Sequence, residues 1–367
     1  MKLLFILGTR PDAIKLAPVI IEAKKQKKIK TFICLTAQHR QLLDQVIDFF
    51  NIKPDFDLNL MTSNQDLSDF TTEALKRVGE VIKKVNPDWV IVQGDTTTTF
   101  VGALCAFYNK TKIAHVEAGL RTHDKFSPFP EEINRALTTQ LADIHFAPTK
   151  NAKKSLLKEN IPPKKIIITG NTGIDALFYA LKKIPKTIMI KKFKKIDFTK
   201  KLILVTGHRR ESFGKPFEEI CLALKQIAQK FPDLEIAYPV HLNPNARKPV
   251  FKILSKIANI HLLEPLDYPS FVWLMKKSYI ILTDSGGVQE EAPSVKKPVI
   301  VMRNVSERME GVESGIAKLI GTKKSDIVSS VSSLISSRNI YSRMIASRNP
   351  YGDGKASARI IKEIINA

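Results

Sequence analysis

Three carboxylates stand at the ends of successive apolar segments in the first half of the chain. Asp95 follows one such segment, Glu117 ends the next, and Glu131 opens a helical pattern after Pro-Phe-Pro. Each alone has an ordinary explanation, as a helix cap or as a charge in a first helical turn. Together they are the residue type with which enzymes separate a general acid from a general base. We therefore predict a proton-transfer site built from Asp95, Glu117 and Glu131.

A second group of residues suits a departing phosphate. Arg10 follows a glycine turn, and His208-Arg209-Arg210 places a titratable donor beside two fixed cations. Ser285-Gly286-Gly287 precedes a helix, where free backbone N–H groups favour a diphosphate. Glu291, one turn later, is suited to accept hydrogen bonds from the hydroxyls of a ribose. These patterns predict a site for a nucleoside diphosphate.

The usual signatures of cofactor and metal sites are missing from the sequence. It contains neither G-x-G-x-x-G nor G-x-x-x-x-G-K-[ST], and its seven histidines lack H-E-x-x-H spacing. We therefore predict no cofactor and no metal. Cys34, Cys105 and Cys221 lie far apart in apolar surroundings, which indicates reduced thiols and a cytoplasmic protein.

Short apolar runs alternate with helical patterns along almost the whole chain. The runs are continuous, so both faces of each strand are buried, as in a parallel sheet with helices on both sides. Ligands of such sheets bind at the carboxyl ends of the strands, which is where the candidate residues fall. The simplest geometry is one ligand in a cleft between two domains. The predicted strands are 2–7, 31–36, 88–93, 112–116, 144–147, 165–168, 202–206, 234–238, 259–262, 278–282 and 298–301.

The length of 367 residues favours two domains, and a Lys-rich stretch at 182–201 interrupts the alternation. We predict a first domain over 1–181, a connection over 182–201, and a second domain over 202–348. Residues 349–354 then break the helical tail before a final helix within 349–367.

The net charge of +22 raises the question of nucleic acid. Of the 58 basic residues, 44 are Lys and 14 are Arg, whereas readers of phosphate and bases favour Arg. We predict no nucleic-acid partner and an anionic small substrate instead. No run of 18 apolar residues occurs, so we predict no membrane insertion.

Ten short motifs, in collinear order over nearly the whole chain, resemble those of the non-hydrolysing UDP-N-acetylglucosamine 2-epimerases. Any one of them is weak, but the ordered set is specific. They are GTRPDAIK at 8–15, TAQHR at 36–40, QGDTTT at 93–98, HVEAGLRT at 115–122, FPEEINR at 129–135, GNTGIDA at 170–176, TGHRRE at 206–211, YPVHLNP at 238–244, DSGGVQEEA at 284–292 and NPYGDG at 349–354.

The resemblance implies a GT-B arrangement, in which two Rossmann-like domains face a deep cleft and the C-terminal helix returns to the first domain. It implies reversible conversion of UDP-GlcNAc to UDP-ManNAc, which supplies surface-polysaccharide synthesis, by a homodimeric enzyme that also binds UDP. It adds Lys15, Phe271 and Arg308 to the residues expected to bind UDP and sugar. Phe271 opens a helical pattern and is suited to contact the uracil.

Bacterial members of the family can bind a second, activating UDP-GlcNAc, and the resemblance implies an effector site here. The matching residues outside the catalytic set are Gln38, Gln41, Arg209, Arg210 and His241. Two departures from the family pattern are Asp12, where glutamate is usual, and Met309, where a proline is usual. Met309 therefore puts the geometry of the loop around it in question.

Four alternative functions remain open from the sequence. They are a GT-B glycosyltransferase that uses a UDP-sugar, an epimerase that releases free ManNAc and UDP, an epimerase for a related diacetamido sugar nucleotide, and a basic nucleic-acid-binding protein. Conversion of UDP-GlcNAc without an acceptor distinguishes an epimerase from a glycosyltransferase. Salt-dependent retention of duplex DNA would mark the nucleic-acid-binding protein.

Overall fold

The computed structural model describes residues 1–37, 40–61 and 65–367, and for Arg40, Gln41, Leu42 and Arg210 it describes the backbone alone. The chain divides into two compact units. The first comprises residues 1–179 together with 351–367, and the second comprises residues 180–350. Each unit combines a parallel sheet with helices, so the α/β class predicted from the alternating pattern is confirmed.

Among its described residues the first unit has one sheet of seven strands in the order β3-β2-β1-β4-β5-β6-β7. The strands are β1 (Lys2–Leu7), β2 (Lys30–Leu35), β3 (Phe56–Asp57), β4 (Trp89–Gln93), β5 (Lys112–Val116), β6 (Ile144–Ala147) and β7 (Ile166–Ile168). The helices from the same part of the chain are α1 (Arg10–Lys24), α2 (Arg40–Phe49), α3 (Leu67–Val85), α4 (Thr97–Tyr108), α5 (Glu131–Leu141), α6 (Lys150–Lys158) and α7 (Thr172–Lys183).

The second unit has a parallel sheet in the order β10-β9-β8-β11-β12-β13. Its strands are β8 (Lys201–Thr206), β9 (Leu234–Pro239), β10 (Ile260–Leu263), β11 (Ile280–Thr283), β12 (Val299–Val301) and β13 (Ala317–Leu319). Its helices are α8 (Lys186–Lys192), α9 (Lys215–Lys230), α10 (Pro244–Leu254), α11 (Tyr268–Lys277), α12 (Gly286–Glu291), α13 (Met309–Glu313), α14 (Lys324–Ser336) and α15 (Arg338–Ala346).

The last helix, α16 (Ala356–Asn366), belongs to the first unit. Its first turn is fixed by Asp175 on α7, whose carboxylate accepts hydrogen bonds from the N–H groups of Ala356 and Ser357 at 3.2 and 2.8 Å. The C-terminal helix therefore returns to the first unit, as the resemblance implies. Among the described residues, no helix is long and apolar enough to span a membrane.

Every strand predicted from the apolar runs is confirmed, although half of the strand ends differ by one or two residues. The prediction missed β3 and β13, which are two and three residues long. The stretch 182–201, predicted as a connection, contains the helix α8. The central strands form on continuous apolar sequence because both faces are buried, and residues 3–7 of β1 are at most 2% exposed.

In each sheet the first strand has neighbours on both sides: the next strands in the chain lie on one side of it, and the later strands lie on the other side. In the first unit β1 pairs with both β2 and β4, and in the second unit β8 pairs with both β9 and β11. At such a switch point the loops that follow the two central strands diverge and leave a crevice for a ligand. The turns after β1, β4, β8 and β11 hold many of the residues chosen from the sequence.

Candidate functional site

The turn after β1 depends on a glycine and on a buried aspartate. A Cβ atom on Gly8 would lie 2.7 Å from the Cβ of Thr98 and 2.8 Å from the Oγ1 of Thr36, so no larger residue fits without a shift. Thr9 caps α1, and the carboxylate of Asp12 accepts hydrogen bonds from the N–H groups of Gly8 and Thr9 at 3.2 and 3.1 Å. Burial raises the pKa of Asp12 to about 6. This turn sets the backbone at Arg10, the first residue of α1.

Asp12 also joins this turn to the turn that carries Asp95. The hydroxyl of Thr96 donates a hydrogen bond to the same carboxylate oxygen of Asp12, at 3.3 Å. The preceding peptide is held from β5, because the carbonyl of Gly94 is 2.8 Å from the Nε2 atom of His115. Burial lowers the pKa of His115 to about 4, so its ring is neutral and donates to that carbonyl. His115 thus supports the backbone of this turn.

The carboxylate of Asp95 forms an ion pair with the guanidinium of Arg135 on α5. Its backbone carbonyl accepts a hydrogen bond from the side chain of Asn134, at 3.0 Å. The Asp95 side chain is 26% exposed, whereas the Arg135 side chain is 7% exposed. The aspartate is therefore fixed at its backbone and at one oxygen, and it still reaches the surface of the crevice.

Glu117 occupies a left-handed backbone conformation, with φ of +65°, which is uncommon for a residue other than glycine. Its carboxylate is 2.5 Å from the Nζ atom of Lys15 and accepts a hydrogen bond from the Asn171 side chain at 3.0 Å. The side chain of Glu117 is 7% exposed. These two contacts offset the loss of hydration, and they explain how an acid is tolerated at the end of a buried strand.

Glu131 and Glu132 begin α5 and have different surroundings. The carboxylate of Glu132 accepts hydrogen bonds from the N–H groups of Thr122 and His123 and from Arg135, at 2.9 to 3.1 Å. The Oε2 atom of Glu131 is buried and has no hydrogen-bond partner among the described residues. Glu132 therefore holds the loop after β5, and Glu131 is the glutamate with an oxygen left for a ligand.

In the second unit, one buried aspartate organises the turn after β8. The Oδ2 atom of Asp284 accepts hydrogen bonds from the N–H groups of His208 and Arg209, at 2.7 and 2.8 Å. The Nδ1 atom of His208 is 3.4 Å from the other carboxylate oxygen. The His208 ring is 40% exposed at its side chain and stacks on His241, with 5.2 Å between centroids. Two candidates, His208 and His241, thus lie side by side.

The two glycines after β11 have different surroundings, and the first of them lies against Arg308. A Cβ atom on Gly286 would be 2.9 Å from the guanidinium carbon of Arg308, whereas a Cβ on Gly287 would meet nothing within 4 Å among the described residues. Arg308 pairs with Glu290 at 3.0 Å and with Glu307. Burial of Glu307 opposes its charge, but Arg308 and other nearby guanidinium groups lower its pKa to about 2. Arg308, held by these two carboxylates, thus lies against Gly286, and the next residue, Gly287, is open.

Two further candidates lie near the ends of their helices. Phe271 is half-buried in the first turn of α11, which Asp267 caps by accepting a hydrogen bond from Ser270 N–H at 2.8 Å. Glu291, at the end of α12, is close to the buried Tyr268, and burial together with this carboxylate raises the pKa of Tyr268 well above its usual value. The phenol therefore remains protonated beside Glu291.

The predicted residues divide between the two units. The first comprises Arg10, Lys15, Asp95, Glu117 and Glu131, and the second comprises His208, Arg209, His241, Phe271, Ser285, Gly286, Gly287, Glu291 and Arg308. Gln38 and the side chains of Gln41 and Arg210, all assigned to the effector site, lie outside the described residues. The described part of the chain contains no group of three His, Cys, Asp or Glu residues arranged to hold a metal.

Four supporting residues were missed as site residues from the sequence, namely Asp12, Arg135, Asn171 and Asp284. The spacing of Thr9 and Asp12 is that of a capping box, which the structure confirms, so this signal was present. Asp284 opens the DSGG segment, but its partners lie 75 and 76 residues away in the sequence. Pairings over such distances leave no local pattern.

Comparison with known proteins identifies the family. A family model described as UDP-N-acetylglucosamine 2-epimerase matches residues 21–365. The enzyme of that name from Campylobacter jejuni is 51% identical over 372 residues, which cover 99% of this chain and 97% of that protein. The crystal structure of UDP-GlcNAc 2-epimerase from Neisseria meningitidis, bound to UDP-GlcNAc, is 48% identical with a TM-score of 0.95 and covers 100% of both chains.

A more distant relative has the same architecture. The structure of UDP-GlcNAc 2-epimerase from Methanocaldococcus jannaschii, in complex with UDP-GlcNAc and UDP, is 35% identical with a TM-score of 0.85 and covers 100% of both chains. The fold is thus GT-B-like, as the resemblance implied. Since both the family model and full-length relatives match along nearly the whole sequence, the chain belongs to the UDP-N-acetylglucosamine 2-epimerase family.

Proposed function

We propose that the protein interconverts UDP-GlcNAc and UDP-ManNAc by inverting carbon 2 of the sugar. The observation that carries the proposal is the set of three carboxylates in the first unit, where Asp95 and Glu117 each pair with a cation and Glu131 keeps a buried oxygen without a partner among the described residues. Full-length relatives named for this reaction support it. The sequence of steps below is inferred from the chemistry.

The hydrogen on carbon 2 is not acidic, because no carbonyl is attached to that carbon. Cleavage of the bond between carbon 1 and the oxygen of UDP develops positive charge at carbon 1 and acidifies its neighbour. Loss of the proton then gives a glycal and UDP. A proton added to the opposite face of carbon 2, followed by return of UDP to carbon 1, completes the inversion. This route requires neither a redox cofactor nor a metal.

In this proposal the second unit holds UDP. Arg308, the backbone after β11 and His208 bind the diphosphate, and they stabilise its charge as the bond to carbon 1 breaks. Phe271 contacts the uracil, and Glu291 accepts hydrogen bonds from the ribose hydroxyls. Arg10 stays a further predicted phosphate contact.

The three carboxylates of the first unit carry the proton transfers. Asp95 and Glu117 belong to different turns and have different cationic partners, Arg135 and Lys15, so each is held independently. Groups supported in this way can address opposite faces of one carbon atom, which inversion requires. Lys15 also balances the charge of Glu117 when the sugar is bound. The roles of acid and base are shared among Asp95, Glu117 and Glu131.

The same proposal includes the setting of the enzyme. We place it in the cytoplasm, as a homodimer that supplies surface-polysaccharide synthesis, since buried reduced thiols suit that compartment. The effector site implied by the resemblance also stays a prediction, and Arg209 and His241 are the members whose side chains are described. A reverse reaction that is slow from UDP-ManNAc alone and is restored by traces of UDP-GlcNAc would support it.

The test is proton NMR of UDP-GlcNAc with the purified protein in heavy water, without an acceptor or added cofactor. We expect UDP-ManNAc to appear with deuterium at carbon 2. The variants Asp95→Asn, Glu117→Gln and Glu131→Gln should each lose on the order of a hundredfold in turnover. Glu80→Gln, on the exposed surface of α3, is the matched control and should keep wild-type activity.

Three results would contradict the proposal. An unchanged UDP-GlcNAc spectrum would favour a glycosyltransferase or a different sugar nucleotide. Accumulation of free ManNAc and UDP would indicate a hydrolysing enzyme. UDP-ManNAc that retains the original hydrogen would exclude elimination, while leaving epimerisation itself intact.

A further inference from the structure

The residues around α8 are far more basic than the rest of the chain. Nine of the twenty residues in 182–201 are lysine, against 44 in the 367 residues of the whole protein, and Asp197 is the one acidic residue among them. The stretch contains no arginine. Ordinary surface composition does not explain a density of lysine nearly four times that of the whole chain.

Packing against α11 fixes which side chains of α8 face outward. Phe193 stacks on Trp273 with 5.5 Å between ring centroids, and Met189 accepts a hydrogen bond from the hydroxyl of Ser270 at 3.7 Å. On the outer surface, Ile188 and Ile190 are 59% and 57% exposed. Two large aliphatic side chains, one on each flank of the anchored Met189, are therefore exposed to water.

An apolar groove continues from Ile190 along the chain. It is open to solvent, with a volume of about 530 Å³, and two of its lining residues are lysines. The lining residues are Ile190, Lys191, Phe193, Lys194, Ile196 and Phe198. Exposed apolar area that is bordered by cations is typical of a surface that lies against an amphiphilic, negatively charged partner.

The positive charge extends onto the end of α11. The Nζ atom of Lys277 lies 5.7 Å from the ring centroid of Trp273. Burial, together with the charges of Lys276 and Lys277, lowers the pKa of Lys297, so cations are crowded here. We call this surface the basic patch. It consists of Lys186, Ile188, Ile190, Lys191, Lys194, Lys195, Lys276 and Lys277.

We propose that the basic patch binds the surface of an anionic phospholipid bilayer. Ile188 and Ile190 would enter the boundary between headgroups and acyl chains, and the lysines would lie against the negative headgroups. The net charge of +22 would favour the approach of the whole protein to such a surface. This peripheral contact needs no spanning helix and does not depend on the proposed reaction.

The same features count against a nucleic-acid partner for the patch. Nucleic-acid sites favour arginine forks and aromatic rings that are open to stacking with bases. Here the cations are lysines, and Phe193 and Trp273 are buried against each other, at 4% and 5% exposed. Exposed isoleucine is also of no use against a phosphate backbone, whereas it is the residue type that a bilayer interface accepts.

The test is flotation with vesicles of phosphatidylcholine that contain about one third phosphatidylglycerol, compared with phosphatidylcholine alone. The full-length protein should float with the anionic vesicles and remain in solution with the neutral ones. Ile188→Ser/Ile190→Ser, and separately Lys191→Gln/Lys194→Gln/Lys195→Gln, should each weaken binding about tenfold or more. High salt should also release the protein.

The matched control is Lys24→Gln/Lys27→Gln/Lys28→Gln, which removes the same charge from exposed positions of the first unit. It should weaken binding by less than about twofold. Unchanged turnover without vesicles would show that all variants are folded. The proposal fails if the control loses as much binding as the patch variants, if the isoleucine variant floats like wild type, or if heparin, but not the vesicles, distinguishes the patch variants from wild type.

Discussion

Glu131 and Glu132 are consecutive in sequence, yet the same change to glutamine should damage a different property at each position. Glu132 joins α5 to the loop after β5 through backbone N–H groups and through Arg135. Glu131 has a buried oxygen without a partner among the described residues. We expect Glu132→Gln to lower stability and Glu131→Gln to lower turnover.

The loss at Glu132 can be worked from its contacts. The carboxylate is 5% exposed, and it accepts hydrogen bonds from Thr122, His123 and Arg135 at 2.9 to 3.1 Å. Glutamine keeps one acceptor oxygen, but it loses the charge and presents an NH2 group to a donor. Arg135 retains Asp95 as a partner, which limits the loss to about 2–4 kcal/mol. For a unit of this size, the melting temperature should fall by about 5–15 °C.

At Glu131 we expect the opposite result, with little change in stability and a large loss of turnover. Glutamine removes a charge whose buried oxygen makes no hydrogen bond to the described residues, so the free energy of unfolding should change by less than about 0.5 kcal/mol. Turnover should fall on the order of a hundredfold, because the amide cannot carry the proton. The stability change and the activity change therefore separate at adjacent positions.

The assay combines thermal unfolding with turnover of UDP-GlcNAc, measured well below the lower of the two transitions. Glu80→Gln, an exposed change of the same kind on α3, sets the reference for both measurements. The reasoning is refuted if Glu131→Gln unfolds as early as Glu132→Gln. It is refuted equally if Glu132→Gln is as stable as wild type, since its buried contacts would then contribute nothing.

Three further outcomes follow from the structure. Gly8→Ala should cost about 1–3 kcal/mol by urea unfolding, because the new methyl group would meet Thr98 and Thr36; wild-type stability would show that the turn relaxes. UDP should raise the melting temperature far more than uridine at equal concentration, by mass action on the native state, and equal shifts would exclude contacts with the diphosphate. Burial lowers the pKa of His145 from 6.5 to about 3, so folding keeps its ring neutral while the unfolded chain takes up a proton below pH 6.5. Stability is therefore lost as the pH falls, and His145→Phe should reduce that loss by about 1.4 kcal/mol per pH unit between roughly pH 6 and 4, measured by urea titrations.

The parts of the fold that the sequence predicts are those encoded by continuous apolar runs. Strands such as β1 and β4 are buried on both faces, so burial alone selects their residues. The strands β3 and β13 escaped because neither Phe56-Asp57 nor Ala317-Lys318-Leu319 is a continuous apolar run, whereas the equally short edge strand β7 consists of three isoleucines. Phe56 and Asp57 pair with Cys34 and Leu35 of β2, and this pairing of distant residues cannot be deduced from local sequence.

For the candidate site, the sequence predicts location better than role. Turns after parallel strands mark where a ligand binds, and the structure places Asp95, Glu117 and His208 in such turns. The sequence does not distinguish Glu131 from Glu132, because their difference arises from partners on another loop. Nor does it reveal that Thr96 contacts Asp12, 84 residues away.

At both switch points, a buried aspartate holds the backbone of a turn in place without a ligand. Asp12 accepts hydrogen bonds from the N–H groups of Gly8 and Thr9, and Asp284 accepts them from His208 and Arg209. These N–H groups lie just beyond the ends of strands, so a buried carboxylate satisfies donors that the sheet leaves unpaired. In each case the turn carries or directly precedes a predicted phosphate contact, Arg10 or His208. These backbones are therefore already ordered in the folded protein. Binding of a diphosphate then loses less conformational entropy, which raises the affinity.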